Sequence, residues 1–401
     1  MSRPALEVAQ IFRHHGPGYR HDHGLSPGQH QAMRDIERCR TAHLGGHVDV
    51  CSQSCGYSAI SYNSCRNRHC PKCQSLKQAK WLAQRLERLL PTHYFHLVVT
   101  LPHELQMLAR CNPELVYNLL FEAASRALLQ LARDYERLKA QIGFTAVLHT
   151  WDQDLNFHPH LHLVVTGGGL SLDGERWIAA RNGFLRPVKA LSKIIRGKFL
   201  EALEKDYLEG RLGDRVPHAQ FPGFLRKLRR KKWVIYAKEA FGGSQKAFHY
   251  LSRYTHRVAI SNHRLVSLAE GKVSFQARDN SRPGQKRLVT LTAQEFIRRF
   301  LLHVLPPRFV KIRHYGLMAP SNAKTKLEQA RTLLSLQAPG ALHEPQAREL
   351  DTPSAPQTWQ EKLQALTGVD ITICPNCGGR LLRRRLLGNE STPAPPVWDS
   401  S

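Results

Sequence analysis

Hydrophobic and polar positions along the chain follow two periods, and the switches between them mark the elements. Leu76, Ala79, Leu82, Leu86 and Leu89 recur at helical spacing from Gln74 to Leu90, and Pro91 stops the run. HYFHLVVTL (93–101) reads as a strand. Asn112 caps and Pro113 opens a long helix over ELVYNLLFEAASRALLQLARDYERLKAQI, which Gly143 ends. FTAVLHTW (144–151) is a strand, Asp152 to Asn156 a turn, and HPHLHLVVT the returning strand. GGGLSLDGERW is a glycine-rich loop or small hairpin. Residues 188–208 form an amphipathic helix with Leu191, Ile194, Ile195, Phe199, Ala202 and Leu203 inward. KWVIYAK (232–238) is a strand, and a helix runs from Ser244 to His256 behind Gly242 and Gly243. Three shorter strands (RLVSLAE, KVSFQAR, KRLVTLT), a helix from Ala293 to His303 and RFVKIRHYG follow. Residues 1–75 show little periodicity, so something other than an apolar core is expected to hold them.

The central order is β-α-β-β-α-β. This predicts an α+β fold of the ferredoxin-like or split-βαβ kind, an antiparallel sheet with helices on one face. The other face is left to hold a site.

Charge narrows the partners. The 401 residues carry 58 Lys+Arg against 32 Asp+Glu, a net +26, while the 42% hydrophobic content is ordinary. Such an excess points to a polyanion, with nucleic acid first. No apolar run reaches transmembrane length and the N-terminus has no signal-peptide core, so a cytoplasmic, nucleoid-associated protein without a membrane partner is expected. Six of nine cysteines (Cys39, Cys51, Cys55, Cys65, Cys70, Cys73) cluster near the N-terminus. Cys111 stands alone, and Cys374 and Cys377 pair near the C-terminus. In a reducing compartment these read as metal ligands.

Within FHPHLHLVV (157–165), His158, His160 and His162 alternate with Leu161, Leu163 and Val165, so the imidazoles share one strand face. A turn near Asp154–Leu155 sets His149 opposite His160. His160 and His162 with one further imidazole, His149 or His158, make a metal site with open positions. Three imidazoles suit Zn²⁺ or Mn²⁺; phosphate oxygens in the shell admit Mg²⁺ or Mn²⁺. Tyr250 and Tyr254 in HYLSRYTHR are spaced i, i+4, which puts both phenols on one helix face beside Arg253 and Arg257. Near the N-terminus, Cys51 and Cys55 with Cys70 and Cys73 have the spacing of a Cys₄ zinc site. Cys39, Cys65, His69 and either His43 or His47 form a second set, so one or two structural Zn²⁺ ions are expected. Cys374 and Cys377 (CPNC) supply half of a further site. RKLRRKK offers Arg226, Lys227, Arg229, Arg230, Lys231 and Lys232 to phosphates, with Arg66, Arg68 and Lys72 available in the cysteine segment. Trp233 and Tyr236 are candidate stacking platforms.

His160-Leu161-His162 is a His-hydrophobic-His motif, and Tyr250 and Tyr254 follow it. With YNSCRNRHCPKCQ, LHTWDQDLNFHPHLHLVVTGGGLS, YLSRYTHRVAIS, RHYG and CPNCGGR in order, the chain resembles the HUH endonucleases. In particular it resembles the two-tyrosine rolling-circle transposases of the insertion-sequence-91 family. It implies an HUH nuclease core preceded by a small zinc-binding domain, with His160 and His162 holding the metal. It also implies that Tyr250 or Tyr254 attacks a scissile phosphate of single-stranded DNA, leaving a 5′-phosphotyrosine and a free 3′-OH. No nucleotide cofactor is required, and no G-x-x-x-x-G-K-[ST] occurs. A plasmid replication initiator or relaxase with the same chemistry, and a non-catalytic zinc-dependent nucleic-acid binder, are the alternatives. A homo-oligomer is compatible with this reading. The expected partition is a zinc-binding domain at 1–75, a catalytic domain with extension at 76–316, a linker at 317–358, and a knuckle with basic tail at 359–401.

Overall fold

The computed structural model describes residues 4–73, 88–134, 137–181, 188–213, 220–241, 258–279, 281–282, 284–337 and 368–386, and positions 81, 358, 361 and 364. Tyr250, Arg253, Tyr254 and Arg257 lie outside the described residues, as do the helix expected over 244–256 and the bulk of that expected over 74–90.

Two helices come first, α1 (Val8–Asp22) and α2 (Pro27–Arg38), then the hairpin strands β1 (Gly46–Cys51) and β2 (Ser58–Tyr62). The central region contains β3 (Tyr94–Thr100), α3 (Gln106–Cys111), α4 (Pro113–Arg133), β4 (Ala140–Trp151), β5 (Phe157–Ser171) and β6 (Trp177–Ala179). It continues with α5 (Val188–Leu208), α6 (Phe221–Arg230) and β7 (Ile235–Phe241). Last are β8 (Leu265–Ala269), β9 (Lys272–Arg278), β10 (Lys286–Thr292), α7 (Ala293–Leu301), β11 (Ile312–Gly316), α8 (Lys326–Gln337) and β12 (Leu381–Leu386).

The main sheet has the order β11-β4-β5-β3-β7, antiparallel throughout, with β6 paired to β5. β3 lies between β5 and β7, so the two βαβ crossovers interleave as the split-βαβ pattern requires. Strand alternation then sorts the side chains. Phe95, Leu97 and Val99 of β3, Ile142, Phe144 and Ala146 of β4, and Leu161, Leu163 and Val165 of β5 pack in one core. Leu120, Phe121 and Leu128 of α4 and Ile195, Phe199 and Leu203 of α5 complete it. The intervening positions on the same strands carry the histidines to the opposite face.

Several expectations change. The helix expected to reach 142 ends at Arg133, and Lys139, at φ +55°, turns the chain into β4. Helical spacing continues across that turn in sequence, so periodicity alone cannot see it. The basic run RKLRRKK is mostly helical, and the strand expected at 232–238 is β7, Ile235–Phe241.

The N-terminal segment does have an apolar core. Val8, Ile11 and Phe12 of α1 and Met33 and Ile36 of α2 pack with Phe275, Phe296, Ile297 and Phe300, with Cys39, Cys70 and Cys73 in the same cluster. Residues 317–337, expected as the start of a linker, are packed and partly helical. Leu317 is buried, and α8 sets Leu327 and Ala330 against Leu90, Leu170 and Trp177. Nor is the C-terminal knuckle a separate tail: β12 pairs with β1 along its whole length, giving a sheet of order β12-β1-β2.

Candidate metal centre and cysteine clusters

β5 carries His160 and His162 on the face opposite α4 and α5, and β4 places His149 directly opposite His160. The ligand nitrogens of His149, His160 and His162 all lie within 4.8 Å of one another. His160 Nε2 and His162 Nε2 are 3.1 Å apart. His158 stays outside this group. Same-face residues on a strand repeat about every 6.6 Å, so one ion cannot reach three in a row, whereas a cross-strand neighbour sits about 5 Å away. The ladder therefore groups His149 with the pair. The main-chain carbonyl of His158 has another role: it lies 2.6 Å from His160 Nδ1, an acceptor that keeps the proton there and leaves the Nε2 lone pair outward. Burial holds His160 down to about 4, so the ring is neutral at pH 7. Three imidazoles with converging nitrogens fit a divalent ion.

His96 was absent from the sequence-based candidates. It stands on β3, and its Nε2 lies 3.0 Å from His162 Nδ1, the rings stacked with centroids 5.3 Å apart. The ring nitrogen of His162 that faces away from His160 thus has an imidazole partner. The signal was available: in HYFHLVVTL, Phe95 and Leu97 are inward, so His96 shares the face of the histidine triplet. The edge strand β11 adds His314, whose Nδ1 lies 2.8 Å from Thr145 Oγ1. Trp151 stacks on His149 at 4.5 Å.

The cysteines form two groups of four, but not those expected from spacing. Cys39, Cys65, Cys70 and Cys73 make one; Cys51, Cys55, Cys374 and Cys377 make the other. The reason is the β1–β2 hairpin. Cys51 and Cys55 occupy its turn, while Cys39 precedes it and Cys65 follows its open end. Strands of five and six residues hold those ends roughly 17 Å apart. Neither His43, His47 nor His69 belongs to a group. His47 lies 3.5 Å from Asp49 on β1, and His69, pushed down to about 3 by burial, accepts from the Leu305 amide at 3.4 Å. In the first group Sγ–Sγ distances are 3.1 Å (Cys39–Cys73) and 3.5 Å (Cys65–Cys73), close to the separation of thiolates around one zinc ion.

The basic candidates divide. Arg226, Lys227, Arg229 and Arg230 are exposed along α6, whose Leu225 and Leu228 are buried. Lys231 and Lys232 are exposed just after it. Arg229 pairs with Glu204 at 2.8 Å and Lys231 with Glu104 at 2.8 Å. Arg68 is spent on structure, donating to the carbonyls of Phe309 and Pro306, and Lys72 pairs with Glu7 at 2.6 Å. Trp233 is a core residue against Phe199, whereas Tyr236 is exposed. Among the described residues no helix is long and apolar enough to cross a membrane.

Strong positive charge, converging imidazoles and thiol-built knuckles are the equipment a DNA-processing enzyme needs, and comparison with known proteins identifies the class. A family model described as "Putative transposase" matches residues 143–326, and one described as "Transposase zinc-binding domain" matches residues 11–101. The chain is similar to "Putative transposase y4qJ" of Sinorhizobium fredii, 46% identical over the full length of both. It is also similar to the transposase for insertion sequence element IS801 of Pseudomonas savastanoi pv. phaseolicola, 27% identical over 87% of this chain and 84% of that one. The chain belongs to the insertion-sequence-91 family of transposases. Among solved structures, the metal-bound conjugative relaxase TrwC in complex with oriT DNA is 13% identical, covering 56% of this chain and 94% of that one at a TM-score of 0.26. The fold is defined by its own strand order.

The zinc-binding match and the thiol geometry agree on Zn²⁺ for the N-terminal cysteines. As a transposase, the protein has DNA as its partner.

Proposed function

We propose that this transposase works by rolling-circle strand transfer, nicking and rejoining single-stranded DNA at the ends of its element through a tyrosine ester. One observation carries the reading: His149, His160 and His162 present three ligand nitrogens together on the sheet face opposite α4 and α5. A divalent ion, Mg²⁺ or Mn²⁺, supplies Lewis-acid polarisation of a phosphate oxygen when bound there. The chain's own groups do the rest. His160 and His162 orient the scissile linkage, with His149 as the third ligand. Tyr250 or Tyr254 is the nucleophile. A phenol near pKa ~10 needs nearby cations to favour its phenolate, and Arg253 and Arg257 lie in the same stretch of sequence.

The phenolate oxygen bonds to phosphorus while the 3′ oxygen leaves and takes up a proton. One phosphodiester-level bond replaces another, so no nucleotide is consumed. Attack by a 3′-OH reverses the step and rejoins the strand. Two tyrosines let one molecule hold a cleaved end while cutting a second. Exposed basic residues of α6 and its C-terminal flank serve as backbone contacts for the strand.

The test is to incubate the protein with labelled single-stranded DNA carrying an element end, in Mg²⁺ or Mn²⁺. A protein–DNA adduct that survives denaturation is expected, reduced by Tyr250→Phe or Tyr254→Phe and abolished by both together. A free 5′-phosphate without adduct, or an adduct formed by the double variant, refutes the tyrosine mechanism.

A further inference from the structure

We propose that Cys51, Cys55, Cys374 and Cys377 hold a second zinc ion whose role is to build a duplex-DNA backbone-binding strand, β12, onto the N-terminal hairpin. The proposal rests on the reading of the chain as a DNA-handling transposase, but not on the tyrosine chemistry. Half of these ligands lie far outside residues 11–101, the segment matched as zinc-binding.

The geometry is that of two facing knuckles. Cys51 Sγ is 3.4 Å from Cys377 Sγ, and Cys55 Sγ is 3.5 Å from Cys374 Sγ. The Gln53 amide donates to Cys51 Sγ at 3.4 Å, a contact that favours the thiolate. On the other side, the Gly378 amide donates to the Cys374 carbonyl at 2.9 Å and the Cys374 amide to the Gly379 carbonyl at 2.7 Å. Gly378 takes φ +72°, and a Cβ on Gly379 would come within 2.9 Å of the Gln53 side chain. The two turns are fitted to each other as well as to an ion.

The strand that follows brings little apolar surface with it. β12 reads LLRRRL, with only its end residues partly buried and its four central positions exposed. Hydrophobic burial therefore gives weak support to its pairing with β1, and a metal that binds only the docked form supplies what burial lacks. Once docked, Arg383 forms a two-pronged pair with buried Asp49, at 2.7 and 3.0 Å. Asp49 is the one acidic residue in the β1–β12 register. Arg380, Arg384 and Arg385 remain exposed along this edge. Guanidinium groups projecting from both faces of an open edge strand fit phosphates, which they grip without reading bases.

The experiment uses full-length protein, metal analysis, and binding to a short duplex of arbitrary sequence over a range of salt without added divalent metal. Two zinc ions per chain are expected, falling to one in Cys374→Ser/Cys377→Ser with a shallower salt dependence. Arg384→Gln/Arg385→Gln is expected to keep both zinc ions while the log–log salt slope drops by about 1.8, at ~0.9 per lost phosphate contact. One zinc in the wild type, two in the cysteine variant, or an unchanged slope in the arginine variant overturns the proposal. None of these readouts depends on nicking, so Tyr250→Phe/Tyr254→Phe should match wild type in all of them.

Discussion

At the residue scale, the centre depends on which ring nitrogen carries a proton. The His158 carbonyl sets this for His160, and His96 faces the outer nitrogen of His162. His96→Leu is expected to weaken Mn²⁺ binding about 10–100-fold, the usual effect of losing an outer partner of a metal-binding histidine. His96→Gln, which retains a hydrogen-bonding group, should recover part of the loss. Calorimetric titration with Mn²⁺ checks both, and equal affinity in all three proteins would remove His96 from the site.

His303 shows a different use of burial. It sits between Thr150 Oγ1 at 3.2 Å and the Leu155 carbonyl at 3.1 Å, and burial holds it down to about 4. Below pH 6.5 the unfolded chain takes up a proton there that the folded chain refuses until about pH 4. Stability is therefore intact at pH 7 and falls through that window, by about 3 kcal/mol for a shift of this size. His303→Gln should flatten that part of the pH dependence of the urea midpoint.

At the scale of elements, α6 separates packing from binding along a single turn of sequence. Leu225 and Leu228 face the core while Arg226, Lys227 and Arg230 face solvent. Replacing Arg226, Lys227, Arg230 and Lys232 by Gln should leave the melting temperature close to wild type. It should also lower the salt slope for single-stranded DNA by up to about 3, at ~0.7 per contact. A slope unchanged within error would place the strand elsewhere.

Elements also show what the sequence discloses. β4 and β5 are legible because their residues alternate near the histidines and a short turn joins them. A turn near Asp154–Leu155 sets His149 opposite His160, while the choice of His149 over His158 as third ligand needs the ladder. α1 and α2 were missed because Pro17 and three glycines interrupt the helical pattern. Yet Ser26 and Gln29 form a capping box that spans Pro27 at the first helical position, a signal that could be read from the sequence. The cysteine grouping that spacing predicts does not form, because here neighbours in sequence are not neighbours in space. A hairpin between them sends the pairs to opposite ends, and no local spacing reveals that the partners of Cys51 and Cys55 lie more than three hundred residues on.

On the scale of the whole molecule, the division at residue 75 is a division of sequence more than of packing. Cys39, Cys70 and Cys73 share a core with Phe275, Phe296 and Phe300, and Phe12 meets Phe300 edge-on at 5.2 Å. Arg68 and His69 bind the main chain of residues 305–309. Stripping zinc with a chelator should therefore loosen β8–β10 and α7 along with the first seventy residues, because metal binding and folding of such a site are linked. Hydrogen exchange followed by mass spectrometry reads this directly: increased exchange confined to residues 4–73 would mean that the shared core holds without the ion.

The pairing of β12 with β1 also bears on biosynthesis. The ribosome makes β1 early and its neighbour only after some three hundred further residues. Throughout that interval the outer rim of β1 offers unpaired amides and carbonyls, the feature that draws stray strands from other chains. Crowded nascent copies on one messenger are thus exposed to entanglement at this rim until each chain's own closing strand arrives.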